Sequence, residues 1–201
     1  MSGGFNIAAF KANGLVYGGA RPTMFNVYMT TPSILNIDQS SQQKFTFVCQ
    51  AAELPESAMG NIPIYYFGRP VNQPGDREFG PWNVEVMNDE DFGVRSMFES
   101  WHNTINRLES NVRAGGVEDP DIKTDIEIRQ YSRDGELIRS YQMIGAYPQI
   151  VGAIRLSWQA QNQIEIFPVS FRFDYWLPVV EQSSKKDGGV NVYGDDATSD
   201  N

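Results

Sequence analysis

The chain has 201 residues, 41% hydrophobic and 12% aromatic, which suits one domain with a proper core and speaks against wholesale disorder. Its 16 Lys and Arg face 25 Asp and Glu, a formal net charge of −9, which argues against a protein built to grip nucleic acid by replacing condensed counterions. A single cysteine, Cys49, excludes an internal disulfide and a cysteine-rich metal site.

The opening Met1-Ser2-Gly3-Gly4-Phe5 lacks the basic and apolar regions of a secretory signal, and no apolar run approaches the roughly 20 residues that cross a bilayer. Folding in a cytoplasm is therefore expected. Residues 1–20, rich in Gly, Ala and Asn without a clear period, read as an extended N-terminal arm. A first strand falls near Met24–Thr30, with Phe25, Val27 and Met29 on one face. A polar loop over 31–43 follows, and the alternation in Lys44–Gln50 predicts a second strand with Phe45, Phe47 and Cys49 aligned.

Residues 51–81 are broken by repeated Pro and Gly, yet they carry Ile62, Ile64, Tyr65, Tyr66, Phe67 and Val71. A protruding loop or hairpin with that much apolar surface must bury it, against its own domain or a neighbour. Trp82, Val84 and Val86 alternate in a third strand. A helix over 89–107 is predicted next, capped by Asn88 or Asp89, with Val94, Phe98, Trp101 and Ile105 on one face.

Asp134-Gly135 predicts a hairpin with a two-residue type I′ turn. Folding there sets Arg133 opposite Glu136, Ile128 opposite Tyr141 and Ile126 opposite Met143, and leaves Asp125, Glu127 and Arg129 on the other face. Ile150, Ile154, Leu156 and Trp158 read as a further strand. In the last strand the apolar parity shifts at Pro168, which predicts a bulge or bend. The β-sandwich domain thus spans 21–180, followed by an acidic extension over 181–201. About seven strands and one helix predict a mainly β fold, an antiparallel sandwich or barrel with one flanking α-helix.

Catalytic signatures fail on their chemistry. Gly14 and Gly19 have phosphate-loop spacing, but Ala20-Arg21 stands where Lys and Ser/Thr are needed. Asp119, Asp121 and Asp125 resemble a calcium loop, but Lys123 occupies a ligand position and no Gly makes the turn. His102 is the only histidine and flanks the apolar stripe of the helix; Cys49 fits a buried thiol better than a nucleophile. No enzymatic activity, metal or cofactor is expected.

Several pieces in order resemble the tail tube proteins of T-even-type contractile phages. They are Arg21-Pro22-x-x-Phe25-x-Val27, Phe45-Thr46-Phe47-x-Cys49, Leu54-Pro55 and Gly75-Asp76-Arg77-x-Phe79. They continue through Trp82-x-Val84-x-Val86-Met87-Asn88-Asp89, Arg129-Gln130-Tyr131-x-Arg133-Asp134 and Asp174-Tyr175-Trp176. The longer 31–43 loop, the arm and the tail beyond 176 depart from the pattern.

The resemblance implies a structural tube subunit whose strands join an inter-subunit barrel in hexameric rings, stacked into a virion tail tube. Its lumen would conduct DNA during ejection without sequence-specific binding. Implied partners are further copies of the chain, the tail sheath, baseplate tube-initiating and tail-terminating proteins, and a tape measure protein inside; assembly would take place in the bacterial host cytoplasm. Glu53, Leu54, Pro55, Ile62, Tyr65, Tyr66, Arg69, Asp76 and Arg77 are the expected ring-stacking residues, and Asp125, Glu127 and Arg129 a possible lumen face. The alternatives are a tube or tube-initiator ring of a related bacteriocin, secretion-system or baseplate machine, and an acidic carbohydrate-binding β-barrel.

Overall fold

The computed structural model describes residues 6–15, 18–35, 39–113 and 118–179; the extension expected over 181–201 lies outside them. Seven strands form the body: β1 (Phe25–Met29), β2 (Cys49–Ala52), β5 (Trp82–Met87), β6 (Thr124–Tyr131), β7 (Leu137–Val151), β8 (Ile166–Arg172) and β9 (Tyr175–Val179). Between β2 and β5, β3 (Ala58–Tyr66) and β4 (Arg69–Glu78) form a separate two-stranded sheet. Every pairing is antiparallel.

The long strand β7 belongs to both layers of the sandwich. Its first part continues the order β1-β6-β7-β9, and its second part, from Tyr147, joins β7-β8-β5-β2. The change of layer occurs beside Gly145, which takes φ +67°. A Cβ there would stand 2.3 Å from a carboxylate oxygen of Asp174, so only glycine fits both the angle and the space. Lys123 holds that carboxylate through Nζ contacts of 2.8 and 2.9 Å.

Between the layers lie Val27, Ile126, Ile128 and Met143 from one side and Val84, Val86, Phe167, Val169 and Phe171 from the other. Each such side chain contributes about 1.5–3 kcal/mol by leaving water. α3 (Gly93–Ile105) closes the core with Val94, Met97, Phe98 and Trp101, the i, i+3, i+4, i+7 stripe of an amphipathic helix. The Phe98 ring packs on Phe45 and Phe171 at centroid distances of 5.7 and 5.8 Å, and Trp101 Nε1–H donates to the Ile122 carbonyl at 2.7 Å.

Several local expectations give way to tertiary structure. Residues 39–48 form α2 (Gln39–Val48), so a helix takes the end of the predicted 31–43 loop and most of the 44–50 strand, of which Cys49 and Gln50 remain in β2. This helix of 10 residues joins the one expected beside the sandwich. The apparent alternation misled because Phe45 is fully buried while Phe47 is 81% exposed: two positions apart on a helix, they point to opposite sides. Lys44 bridges Asp89 and Asp91, tying α2 to the turn before α3. Those carboxylates are held below the usual Asp range chiefly by that hydrogen bond.

α3 starts later than predicted, after Phe92 in the left-handed region (φ 54°), with Asp91 Oδ1 accepting from Gly93 N at 2.9 Å. The arm carries a short helix, α1 (Ile7–Asn13), where extended chain was expected. The predicted strand through Ile154, Leu156 and Trp158 is absent; the chain is irregular there, and Leu156 and Trp158 are exposed. Pro168 sits in an uninterrupted β5–β8 register, and the bulge lies on the neighbouring strand, between Pro148 and Ile150 of β7, opposite Phe171 and Ser170.

The β6–β7 hairpin pairs Ile128 with Tyr141 and Ile126 with Met143, as the face pattern predicts. Its turn differs. Gly135 alone has positive φ, Gly135 N–H donates to Ser132 O, and Ser132 N–H donates to Glu136 O. A one-residue slip between Gln130 and Tyr131 absorbs the longer loop, so the core register survives while Arg133 and Glu136 do not pair.

Candidate functional site

Among the described residues, the β3–β4 sheet pairs only with itself. Phe67-Gly68 closes it in two residues, with φ of +47° and +80°, the signature of a type I′ turn whose twist suits antiparallel strands. The register sets Tyr66 opposite Arg69, Ile64 opposite Val71 and Ile62 opposite Gln73. Directly opposed residues share a face, so Ile62, Ile64, Tyr66 and Val71 form one apolar side, with Tyr65 on the reverse. None is covered: Ile62 is 53% exposed, Tyr65 73% and Tyr66 69%. Pro63, Pro70 and Pro74 remove donors from the free edges, which limits indiscriminate strand pairing.

The expected ring-stacking residues thus converge on one element. Ile62, Tyr66 and Arg69 share a face of the hairpin, and Asp76 and Arg77 lie exposed near the base of β4, in no ion pair with a described residue. Glu53, Leu54 and Pro55 form the stem by which it leaves β2. Ile64 and Val71 belong to the same apolar face but escaped the expected set. Only the turn register aligns them, and Phe-Gly is a weak turn signal beside Asn-Gly or Asp-Gly.

The β6 face is more self-contained than its sequence implies. Arg129 Nε and Nη2 donate to the two Glu127 carboxylate oxygens at 2.8 and 2.7 Å, and its guanidinium lies 4.6 Å from the Tyr28 ring centroid. That bidentate pair holds the Glu127 carboxyl below its usual range and pushes the guanidinium up. Asp125 is exposed but turned across to β7, accepting from Gly145 N–H and Gln142 Nε2–H at 3.2 Å each.

The remaining reactive candidates are occupied structurally. His102 Nε2–H donates to the Pro148 carbonyl at 3.0 Å. Cys49 is buried, which raises its thiol to about 12 and keeps the nucleophilic thiolate scarce. Asp119 pairs with Arg113, and Asp121 accepts from Glu118 N, so the two acids of the apparent calcium loop have separate structural tasks.

The sequence profile described as "Phage tail tube protein" matches residues 20–178. The chain belongs to the phage tail tube protein family. It is 35% identical over 158 residues to the tail tube protein gp19 of Enterobacteria phage T6, covering 78% of this chain and 90% of that protein, and matches gp19 of Enterobacteria phage T4 to the same extent. The tail tube protein of Serratia phage KSP90 is 27% identical over 119 residues, 59% of this chain and 66% of that protein.

Among solved structures, a chain of the PVC sheath/tube terminator of an extracellular contractile injection system aligns with TM-score 0.58 at 14% identity, over 82% of this chain and 99% of that one. A chain of the anti-feeding prophage baseplate aligns with TM-score 0.57 at 13% identity, over 81% and 97%. Those likenesses show a shared fold. As a member of the tail tube family the protein is a structural tube subunit, not an enzyme.

Proposed function

We propose that copies of this chain close into hexameric rings, and that the rings stack through the β3–β4 hairpin into the inner tail tube of a contractile phage. The observation that carries this reading is the uncovered hairpin: an apolar sheet that cannot bury itself, on a chain of the tail tube family. Glu53, Leu54, Pro55, Ile62, Tyr65, Tyr66, Arg69, Asp76 and Arg77 would then contact the next ring. Exposed hydrophobics grouped this way mark a partner surface.

The sandwich supports ring closure. In the order β1-β6-β7-β9 every neighbour is antiparallel, so the two free edge strands run in opposite directions. Rotation about a ring axis sets β9 of one copy antiparallel to β1 of the next, and a closed ring removes both edges. The Asp125, Glu127 and Arg129 face is the proposed lumen wall. Duplex DNA carries about one negative charge per 1.7 Å of axis, and a wall whose arginine is already paired offers phosphates little hold. Sheath, baseplate, terminator and tape measure proteins would meet the finished tube, a virion component assembled in the host cytoplasm.

A second reading, a ring of a related injection machine, draws on the shared fold of the terminator and baseplate chains. Sheath and capsid genes beside this gene favour the phage; their absence favours the other machine. Electron microscopy of the purified protein tests the central proposal. Six-fold annuli or hollow rods are expected, and Ile62→Ser with Tyr66→Ser should leave single rings. A protein monomeric at every concentration and salt overturns it.

A further inference from the structure

A hairpin that docks onto the next ring must be aimed before it gets there. β2 ends at Ala52 and β3 begins at Ala58, and the stem between them belongs to no ladder. Among the described residues, two hydrogen bonds from the rest of the domain reach that stem, and both come from indoles. Trp82 Nε1–H donates to the Glu53 carbonyl at 2.6 Å, and Trp176 Nε1–H donates to the Glu56 carbonyl at 2.9 Å.

We propose that Trp176, seconded by Trp82, is a positioning residue that sets the direction in which the hairpin projects for stacking; the proposal rests on the hairpin being the inter-ring element. The two carbonyls are three residues apart and bracket Leu54-Pro55, and Pro55 fixes its own φ, so little torsional freedom remains between the anchors. An indole donates and does not accept, and it is rigid with only two side-chain torsions, so each bond fixes a direction as well as a contact. Both rings are held in turn. Trp82 is buried against Phe171 at 5.6 Å, and Trp176 stands edge-on to Tyr141 at 5.6 Å, with Arg139 lying 5.2 Å from the Tyr141 centroid. On the outgoing side Phe79 meets Phe173 at 5.8 Å.

Pre-aiming matters because a swinging hairpin would lose its freedom at each docking event, weakening every contact between rings. Trp176 also lies on β9, a free edge of the sandwich. The strand offered to a neighbour within the ring therefore holds the stem of the element offered to the next ring.

The test replaces the Trp176 indole with benzothienylalanine, which keeps the ring shape and exchanges N–H for sulfur. Spin labels at Gln73→Cys on β4 and Ser96→Cys on α3 report the hairpin's pose by pulsed dipolar spectroscopy; Cys49 is buried and stays unlabelled. Losing a bond of this kind favours the released stem about fivefold. The expected result is a broadened distance distribution and shorter tubes, with an unchanged melting curve and intact rings. An unbroadened distribution overturns the proposal, and so does broadening with tubes of normal length. The Ile62→Ser, Tyr66→Ser variant separates the two readings: if it too stacks normally, the inter-ring role itself falls. If it fails to stack while the benzothienyl variant stacks normally, only the positioning role falls.

Discussion

The protein contains two β-hairpins built on opposite physical terms. In β6–β7, Ile126, Ile128 and Met143 are buried beneath α3 and the second layer, so a slip of one residue would turn them all to solvent. In β3–β4, Ile62, Ile64, Tyr65 and Tyr66 are exposed on both faces, and among the described residues no burial rewards one register over another; the turn and an Asn61–Asn72 side-chain hydrogen bond set it. The first hairpin stabilises its own subunit. The second leaves its apolar side chains uncovered, and on the proposed reading another copy of the chain covers them.

The sharpest way to break that comparison is to remove the second hairpin. Deleting residues 56–72 is expected to abolish ring stacking while leaving a folded core, read as loss of rods by electron microscopy with the melting transition retained. Long tubes from the deletion would defeat the assignment. A matched pair of truncations comes next. Ile128→Ala should lower stability by about 2–5 kcal/mol, because it opens a cavity in a packed core. Ile62→Ala should change subunit stability by no more than about 0.5 kcal/mol and act on stacking alone. Denaturant titration and tube-length measurement on both variants separate the two effects.

A smaller effect is expected at the β6–β7 turn, where Gly135 takes φ +81°. Gly135→Ala should cost about 1–2 kcal/mol from the left-handed conformation alone, measured by chemical denaturation. The smallest concerns Glu127. Its carboxyl titrates below the usual range because of Arg129, so the pair's stabilisation is present above the ordinary Glu range. It is lost as pH falls through the lowered value. Glu127→Gln should remove that part of the acid dependence and lower stability at neutral pH by about 1 kcal/mol or less, given partial exposure.

Legibility followed burial. The alternation of Val27 and Met29, of Val84 and Val86, and of the Ile126–Ile128 pair reports a sheet face against a core, and the structure keeps all of it. Phe45-Thr46-Phe47 shows the same alternation and lies in a helix, because packing of Phe45 on Phe98 outweighs local β preference. Asp134-Gly135 announced a turn but not its length, since one left-handed glycine serves a three-residue loop as well as a two-residue one. At the candidate site, residue type and the Pro/Gly spacing exposed an apolar protrusion, while the face shared by Ile62, Ile64, Tyr66 and Val71 became visible only with the Phe67-Gly68 turn. The indole anchors on Glu53 and Glu56 were illegible, because they join positions 29 and 120 residues apart through backbone carbonyls.

Amide hydrogen exchange on free subunits and on assembled tubes tests most directly whether β3–β4 is completed by another copy. Residues 58–78 are expected to gain the largest protection on assembly while the β6–β7 core, already closed, changes least. Equal exchange of the hairpin in both states, with protection appearing elsewhere, would contradict it.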